Sequence, residues 1–272
     1  MKIKDHFLTQ EEFEIIETTI QGIYKTNPIP SNISKYYDSQ DYISHYQDSG
    51  SLKEKLYKFL QNFNLKYKQS ILFDNVGKDK IILDYGCGAG EFIKYIENNF
   101  ETFGFEPNHS ARTNALKKIQ KAKLITNLDV IKKESLDAIT LWHVFEHIEN
   151  QDEMLQIFYS KLKQKGRLII AVPNPTSYDA LKYKEFWAAY DVPRHIFHFS
   201  KSGMEKLMNN DLWKIKKIKP LLLDSFYISM LSEKYQKSSL SWLKGLIYGI
   251  VSNIKASKTG EYSSLIYIIE KK

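Results

Sequence analysis

The sequence predicts an α/β fold in which helices cover both faces of a seven-stranded, mostly parallel sheet. From residue 80 onward, short apolar runs alternate with helical stretches of ten or more residues, a pattern typical of β-α-β units. In addition, 43% of the 272 residues are hydrophobic, which is enough apolar material to bury a large core.

Each predicted element follows from this alternation. Apolar runs predict seven strands, over residues 81–85, 102–106, 123–126, 138–142, 167–172, 213–219 and 264–269. Residues with helical spacing predict helices between the first five strands, over 91–98, 110–119 and 151–162, and a further helix after Ser200.

The alternation divides the chain into two predicted parts and an insertion. Residues 1–78 lack it and are expected to form an N-terminal helical cap or lid, whereas residues 79–272 form the α/β domain. A helical insertion at about 225–259 precedes the last strand. Six of its residues, Leu243, Leu246, Ile247, Ile250, Val251 and Ile254, fall on one helix face. We expect this face to pack on the cap; the alternatives are a lid over an apolar substrate, a homodimer interface or a peripheral lipid contact.

Charge and cysteine content limit the class of protein. The formal net charge is +7, but it comes almost entirely from lysines scattered among acids, which indicates a solvated surface rather than a nucleic-acid interface. The first residues show no apolar signal region, and Cys87 is the only cysteine, so a cytoplasmic location is expected. No run reaches the length of a membrane span.

A predicted strand leads into a glycine-rich turn that opens a helix. Gly86, Gly88 and Gly90 let the backbone bend sharply and approach a ligand closely. Asp84 precedes the turn and Glu106 ends the next strand, so the site presents a carboxylate to each of two ends of its ligand. A diphosphate beside Asp84 would be repelled, so the residues favour S-adenosylmethionine over a nicotinamide dinucleotide.

These segments resemble motifs of a known enzyme family. Residues 83–90 (LDYGCGAG), 104–108 (GFEPN) and 142–148 (WHVFEHI) resemble motifs I, II and IV of class I S-adenosylmethionine-dependent methyltransferases. Residues 172–175 (VPNP) resemble a segment of the small-molecule type grouped with the ubiquinone-pathway O-methyltransferases. The resemblance implies a Rossmann-like methyltransferase domain over 79–272.

The resemblance also implies the cofactor contacts. The methionine part would lie against Asp84 and the glycine turn, which includes Cys87, and the ribose against Glu106. Trp142 is a further predicted cofactor contact. The adenine would lie beside Pro107 and Asn108, with Asn127 and Leu128 on its other side. An ordinary strand-end loop is the alternative for the last two.

Histidines are the candidate catalytic residues, because an imidazole is well matched to proton removal at neutral pH. His143 follows the fourth predicted strand of the domain, and His195 lies in an aromatic loop, so both are predicted to be catalytic. The predicted substrate contacts are Tyr37, Tyr42, His45, Arg194 and His198. Arg194 either binds an acidic substrate or pairs with Asp191, and His147 is expected to hydrogen-bond the backbone at a turn.

Glu146 and His147 match part of a Glu-x-x-Glu-His metal-binding pattern of some ubiquinone-pathway and small-RNA methyltransferases. His143 replaces the first glutamate of that pattern, so no metal is expected. The sequence therefore predicts a methyltransferase for a small-molecule acceptor, with a hydroxyl on an aromatic or lipid-like compound as the expected target. The alternatives are an RNA or other nucleic-acid methyltransferase and a non-catalytic cofactor-binding module.

Overall fold

The computed structural model of the chain describes residues 1–37 and 52–272, which contain two sheets and eight α-helices. The strands are β1 (Lys2–Lys4), β2 (Glu12–Glu17), β3 (Ile23–Asn27), β4 (Ile81–Tyr85), β5 (Glu101–Phe105), β6 (Lys123–Ile125), β7 (Leu136–Trp142), β8 (Leu162–Pro173), β9 (Phe197–Phe199), β10 (Trp213–Pro220) and β11 (Ser264–Lys271). The α-helices are α1 (Leu52–Asn75), α2 (Glu91–Ile96), α3 (His109–Lys118), α4 (Gln151–Lys161), α5 (Tyr178–Tyr183), α6 (Lys201–Met208), α7 (Asp224–Tyr235) and α8 (Ser241–Thr259).

The main sheet has seven strands in the order β10-β11-β8-β7-β4-β5-β6. Strands β4 to β8 are parallel, and β11 runs antiparallel to both of its neighbours. The central strands are almost wholly buried because both faces of the sheet are covered. The predicted seven-stranded, mostly parallel sheet is confirmed.

The parallel strands bring their carboxyl ends to one edge of this sheet, where ligands bind in open α/β folds. The residues that end β4, β5 and β7, or directly follow them, include Asp84, Glu106 and His143. The topology therefore assembles at one edge several side chains that are far apart in the sequence.

The predicted helical cap is wrong for the first part of the leader. Strands β1, β2 and β3 pair with β9 in a second, antiparallel sheet. In β2, Phe13 and Ile15 are buried while the glutamates beside them are exposed, which is the period of two expected of a half-buried strand. This alternation favours a strand over a helix in the first part of the leader. The predicted helical structure is present from Leu52, where α1 begins.

The insertion is helical, as expected, and forms a hairpin of α7 and α8, but its apolar face does not pack on the cap. Small residues of α8, including Gly245 and Gly249, are buried instead. A Cβ added at Gly245 would lie 2.4 Å from the Met230 Cα, and one at Gly249 would lie 2.7 Å from the Phe226 ring. The two helices therefore approach so closely that the large side chains of α8 point away from the contact.

Among the described residues, every helix is too short or too polar to cross a membrane.

Candidate active site

The glycine-rich turn after β4 is tied to the neighbouring strand. Gly86, Gly88 and Gly90 have φ angles of 77°, 55° and 81°, a region that side chains other than glycine rarely adopt. The N–H groups of Gly86 and Cys87 both donate to the Phe105 carbonyl oxygen, at 2.8 and 3.0 Å. A Cβ added at Gly88 would meet nothing within 4 Å, so this part of the turn faces open space where a ligand could approach the backbone.

Asp84 lies at the end of β4 and is only 3% exposed. The Thr140 hydroxyl donates to its Oδ1 at 2.6 Å. Burial raises the pKa of Asp84 to about 7, against the opposing effects of Thr140 and Lys68. The carboxyl group is thus poised to ionise near neutral pH, and a cationic ligand would draw it into the charged form.

The Glu106 carboxylate bridges the glycine turn and the loop after β5. Its Oε2 accepts a hydrogen bond from the Gly88 N–H at 2.9 Å, and its Oε1 accepts one from the Asn108 N–H at 2.8 Å. Each carboxylate oxygen has a second lone pair. The fixed carboxylate can therefore accept hydrogen bonds from two adjacent hydroxyl groups.

A pocket of about 210 Å³ opens beside the turn. The predicted cofactor residues that line it are Asp84, Gly86, Cys87, Gly88 and Trp142. The Trp142 indole Nε1 is buried and has no hydrogen-bond partner among the described residues. Burial raises the pKa of the Cys87 thiol, so this side chain lines the pocket as a neutral group.

Lys68 of α1 also lines this pocket and was missed by the sequence analysis. Its Nζ lies 4.7 Å from the centroid of the Trp142 ring, and burial lowers its pKa. The pocket thus combines the Asp84 carboxyl group with an ammonium and an indole donor, which fits a ligand that carries both an amine and a carboxylate. In the sequence, nothing distinguishes Lys68 from the many other lysines.

The remaining predicted cofactor residues lie in the loops after β5 and β6. Pro107 is exposed, and the Asn108 side chain caps α3 by accepting from the Ala111 N–H at 2.9 Å. Asn127 caps a short 3₁₀ turn in the same way, and Leu128 is buried in the core. The alternative of an ordinary strand-end loop accounts for these contacts of Asn127 and Leu128, and adenine binding by the four residues stays a prediction.

His143 lies in the segment after β7, which packs against the glycine turn. A Cβ added at Gly86 would lie 2.5 Å from the Val144 side chain. The His143 ring nitrogens lie 3.3 Å from Glu146 Oε1 and 2.8 Å from Asp224 Oδ2. Burial lowers the pKa of His143, but the two carboxylates outweigh it and raise the pKa to about 10. At neutral pH both nitrogens donate, which does not favour the predicted role as a base.

The sequence analysis also missed Asp224, which begins α7. Its contact with His143 joins residues that are far apart in the chain, and no local pattern marks it. The contact connects the helical insertion to the candidate active site.

His195 is a neutral imidazole with a defined tautomer. Its Nδ1 donates to the Ala189 carbonyl oxygen at 2.9 Å, since a carbonyl can only accept. Burial, together with the nearby His147, lowers the pKa of His195 to about 4. Its Nε2, 3.9 Å from Glu146 Oε1, therefore carries a free lone pair over the whole neutral range.

Glu146, His147 and His195 form a cluster whose potential ligand atoms lie within 4.8 Å of one another. The His147 Nδ1 donates to the Arg194 carbonyl oxygen at 2.8 Å, which confirms the expected backbone contact. The buried Glu146 Oε2 has no hydrogen-bond partner among the described residues. These atoms could hold a divalent cation or the polar group of a substrate, and the absence of a metal stays a prediction.

The predicted substrate contacts are distributed around this cluster. The Tyr37 hydroxyl lies 3.1 Å from His147 Nδ1, so the leader reaches the cluster. Tyr42 and His45 lie outside the described residues. His198 lies in β9, where its buried Nε2 is 3.0 Å from Thr26 Oγ1, and that hydroxyl donates to the His195 carbonyl oxygen at 2.7 Å. The contacts of His198 are those of a group that supports the loop.

Arg194 was expected either to bind an acidic substrate or to pair with Asp191, and in the structure it pairs with Asp191. The guanidinium is 1% exposed, and its Nε donates to both Asp191 oxygens at 3.0 Å. Its Nη1 donates to the Tyr36 carbonyl oxygen and its Nη2 to Asp5, both at 2.9 Å. With its donors engaged inside the protein, Arg194 does not present them to an acidic substrate.

The stability contributed by His198 should decrease as the pH falls from 7 to 5. Burial lowers its pKa to about 3, so below pH 6.5 the imidazole takes up a proton in the unfolded chain but not in the folded one. Stability from this group is therefore present above pH 6.5 and is lost toward pH 3. We expect the gap in unfolding free energy between wild type and His198→Gln to shrink by about 1–2 kcal/mol over these two pH units.

The measurement is urea unfolding of both proteins at each pH. The comparison with the variant is needed because Asp84, whose pKa is raised to about 7, contributes a pH dependence of the opposite sign. A gap that stays constant between pH 7 and pH 5 would show that His198 titrates normally in the folded protein.

Comparisons with known proteins agree with this fold. The model of a family described as a methyltransferase domain matches residues 56–211. No curated protein sequence matches the chain. Many solved structures do, and the examples that follow are each under 25% identical, so they show the fold alone.

A cyclopropane synthase of Mycobacterium tuberculosis is 12% identical, with a TM-score of 0.52, over 75% of this chain and 83% of the other. A possible histamine N-methyltransferase of Thermotoga maritima is 18% identical, with a TM-score of 0.51, over 77% and 88%. A geranyl diphosphate C-methyltransferase of Streptomyces coelicolor is 13% identical, with a TM-score of 0.50, over 76% of each chain.

The match to the family model covers more than half of the chain, and it includes the glycine turn, Glu106 and the histidine cluster. The chain therefore belongs to the methyltransferase domain family of enzymes.

Proposed function

We propose that this protein transfers a methyl group from S-adenosylmethionine to a hydroxyl group of a small aromatic or lipid-like molecule. The observation that carries the proposal is the arrangement at the edge of the main sheet. There the glycine turn, with carboxyl groups on either side, packs directly against the segment that bears the histidine cluster. A cofactor site and a proton-accepting group are thus held side by side.

The pocket beside the turn fits the proposed cofactor. Asp84 would bind its cationic amine, and Lys68 with the unpaired Trp142 N–H would bind its carboxylate. Glu106 is fixed to accept hydrogen bonds from two ribose hydroxyls. When bound, S-adenosylmethionine supplies a methyl group activated by a positively charged sulfur.

The burial of the cluster supports a small acceptor. Glu146 is 1% exposed and His195 8%, so only a compact group could reach the His195 Nε2.

The three arginines, which a nucleic-acid methyltransferase would use on its surface, all bind within the chain. Arg194 pairs with Asp191, Arg167 with Glu270, and Arg112 donates to the Glu106 carbonyl oxygen.

Solved proteins of the same fold include a cyclopropane synthase and a geranyl diphosphate C-methyltransferase, and the second of these is named for a small lipid-like acceptor. The subgroup resemblance to ubiquinone-pathway O-methyltransferases supports an aromatic hydroxyl as the acceptor. The solved proteins and the subgroup resemblance both support a class of acceptor, namely small aromatic or lipid-like molecules.

Within this proposal His195 removes the proton of the acceptor hydroxyl. The Ala189 carbonyl holds the Nδ1 proton, so Nε2 is the nitrogen that accepts. The buried carboxylate of Glu146, 3.9 Å from Nε2, would stabilise the imidazolium as it forms. His143, already paired with Glu146 and Asp224, serves as a fixed positive group that orients Glu146.

The His195→Gln variant should retain cofactor affinity but lose about 10²–10⁴-fold in kcat, because proton removal by a positioned base contributes that factor. Titration calorimetry with S-adenosylmethionine measures the affinity. Transfer of a labelled methyl group to a panel of catechols and prenylated phenols measures kcat at saturating cofactor. His109→Gln, an exposed histidine on α3, is the matched control and should be unaffected.

With a pKa of about 4, His195 should keep kcat nearly constant from pH 8 to pH 6. Methyl transfer to small RNA in preference to every phenol would instead favour a nucleic-acid enzyme. Tight cofactor binding without transfer to any acceptor would favour a non-catalytic module.

A further inference from the structure

The outward face of α8 is a stripe of large apolar side chains. It consists of Trp242, Leu243, Leu246, Ile247, Ile250 and Ile254, which are between 36% and 62% exposed. Helical spacing places these residues on one side of α8, so they form a continuous surface, called here the α8 stripe. An exposed apolar surface of this extent on a protein usually contacts another molecule.

The packing of the hairpin fixes the stripe in this orientation. The inward face of α8 consists of the small residues Gly245, Gly249, Ser252 and Ala256. A larger side chain at Gly245 or Gly249 would collide with α7. An ordinary surface helix has the opposite arrangement, with large apolar residues inward and polar residues outward. Here α8 packs against α7 through its small residues, and its most apolar side is exposed to solvent.

The charged residues of the chain segment that carries the stripe all have one sign. Between Glu233 and Glu261 the chain has five lysines and no acidic residue; the lysines are Lys234, Lys237, Lys244, Lys255 and Lys258. Glu233 is itself buried, and Glu261 binds Asn174 and Thr176. Helical spacing places Lys244, Lys255 and Lys258 along one border of the stripe. The surface is therefore complementary to a partner that is apolar inside and negatively charged outside.

We propose that the α8 stripe docks this protein on the surface of an anionic lipid bilayer. The helix would lie in the plane of the interface, with the stripe at the boundary of headgroups and acyl chains and the lysines among the phosphates. Trp242, at the first turn of α8, is of a residue type enriched at that boundary. Two copies of the chain facing each other through the stripe would bring their lysines together, which disfavours self-association.

Vesicle co-sedimentation of the full chain, which needs neither cofactor nor acceptor, tests the proposal. Phosphatidylcholine vesicles containing about 30% phosphatidylglycerol should bind the protein more strongly than pure phosphatidylcholine vesicles, and added salt should weaken the binding. Ile247→Gln with Ile250→Gln should reduce binding at least about tenfold. The matched control is Leu116→Gln with Leu212→Gln, two exposed leucines on other elements, which should bind like wild type.

The charge contribution has its own test. Lys244→Gln with Lys258→Gln should weaken binding roughly 25-fold, because each lysine near an anionic surface contributes about fivefold. Lys132→Gln with Lys133→Gln, exposed lysines distant in the sequence from α8, serve as the control and should have no effect.

Tryptophan fluorescence identifies the docking face directly. Trp187 and Trp213 are each 2% exposed, whereas Trp242 is 62% exposed. Anionic vesicles should shift the emission to shorter wavelength in wild type but not in Trp242→Phe.

Equal binding to neutral and anionic vesicles, or unchanged binding of the isoleucine variant, would overturn the proposal. So would a dimer in sedimentation velocity that the isoleucine substitutions dissociate, if the wild type also fails to bind vesicles, because the stripe would then belong to an interface between copies of the chain.

Discussion

Replacing Asp84 with asparagine should reduce the affinity for S-adenosylmethionine by about 100-fold or more, since it removes a buried charge that would pair with the cationic end of the ligand. Asparagine has the same shape and can still accept the hydrogen bond from Thr140, so the pocket should keep its geometry. Titration calorimetry at pH 8 measures the loss. Asp211→Asn, an exposed acid before β10, is the matched control and should bind normally.

The same variant should be more stable than wild type in the absence of ligand. Burial raises the pKa of Asp84 to about 7, far above its unfolded value, so ionisation at pH 8 costs the folded state free energy. We expect urea unfolding at pH 8 to show a gain of at least about 1 kcal/mol for Asp84→Asn. A residue that lowers stability and raises affinity is typical of a functional site.

Cofactor affinity in wild type should also fall as the pH drops below 7, by up to about tenfold per pH unit, because the carboxyl group must lose a proton before it can pair with a cation. The asparagine variant should lose this component of the pH dependence. Comparable affinity of wild type and variant at pH 8 would contradict the proposed role of Asp84 and, with it, the placement of the cofactor amine.

Arg194→Gln should destabilise the protein by about 3–5 kcal/mol, the usual cost of breaking a buried ion pair. The substitution leaves Asp5 without its buried cationic partner and removes the bond from the guanidinium to the Tyr36 carbonyl oxygen. Because Asp5 belongs to the leader and Asp191 to the loop that carries His195, the guanidinium fastens two distant segments together. Urea unfolding at pH 7 measures the loss.

Arg167→Gln is the matched control for this experiment. Arg167 and its partner Glu270 are both about one-fifth exposed, against 1% for Arg194, so solvent screens that pair more and breaking it should cost less than breaking the Arg194 network. Arg194→Lys should not restore stability, since one ammonium cannot reproduce the planar set of guanidinium donors. A loss below about 1 kcal/mol for Arg194→Gln would show that the network contributes little.

The sheet and half of the site could be predicted because both depend on local patterns. A run such as residues 81–85 is apolar throughout since it is buried on both faces, and a glycine turn after it marks a close approach of backbone to ligand. Asp84 and Glu106 could be placed because the carboxyl ends of parallel strands share an edge.

The remaining features depend on contacts between distant residues. Lys68 and Asp224 acquire their places only when α1 and α7 pack at the sheet edge, and no local pattern distinguishes them from other charged residues. The states of His143 and His195 were equally unpredictable, because identical imidazoles have pKa values near 10 and near 4 according to which carboxylates and carbonyls they meet. The strands of the leader were missed because they are short.

The pairing of β3 with β9 makes the beginning of the chain and the His195 loop one cooperative unit. Ile23 and Phe199 lie opposite each other in this pairing, although five of the seven strands of the main sheet lie between them in the sequence. During synthesis, therefore, the edge of β3 stays unpaired until most of the chain, including β9, has been made. A protein shortened at its beginning would retain the glycine turn and Glu106, but it would lose the strand that pairs with β9 and the Asp5 partner of Arg194.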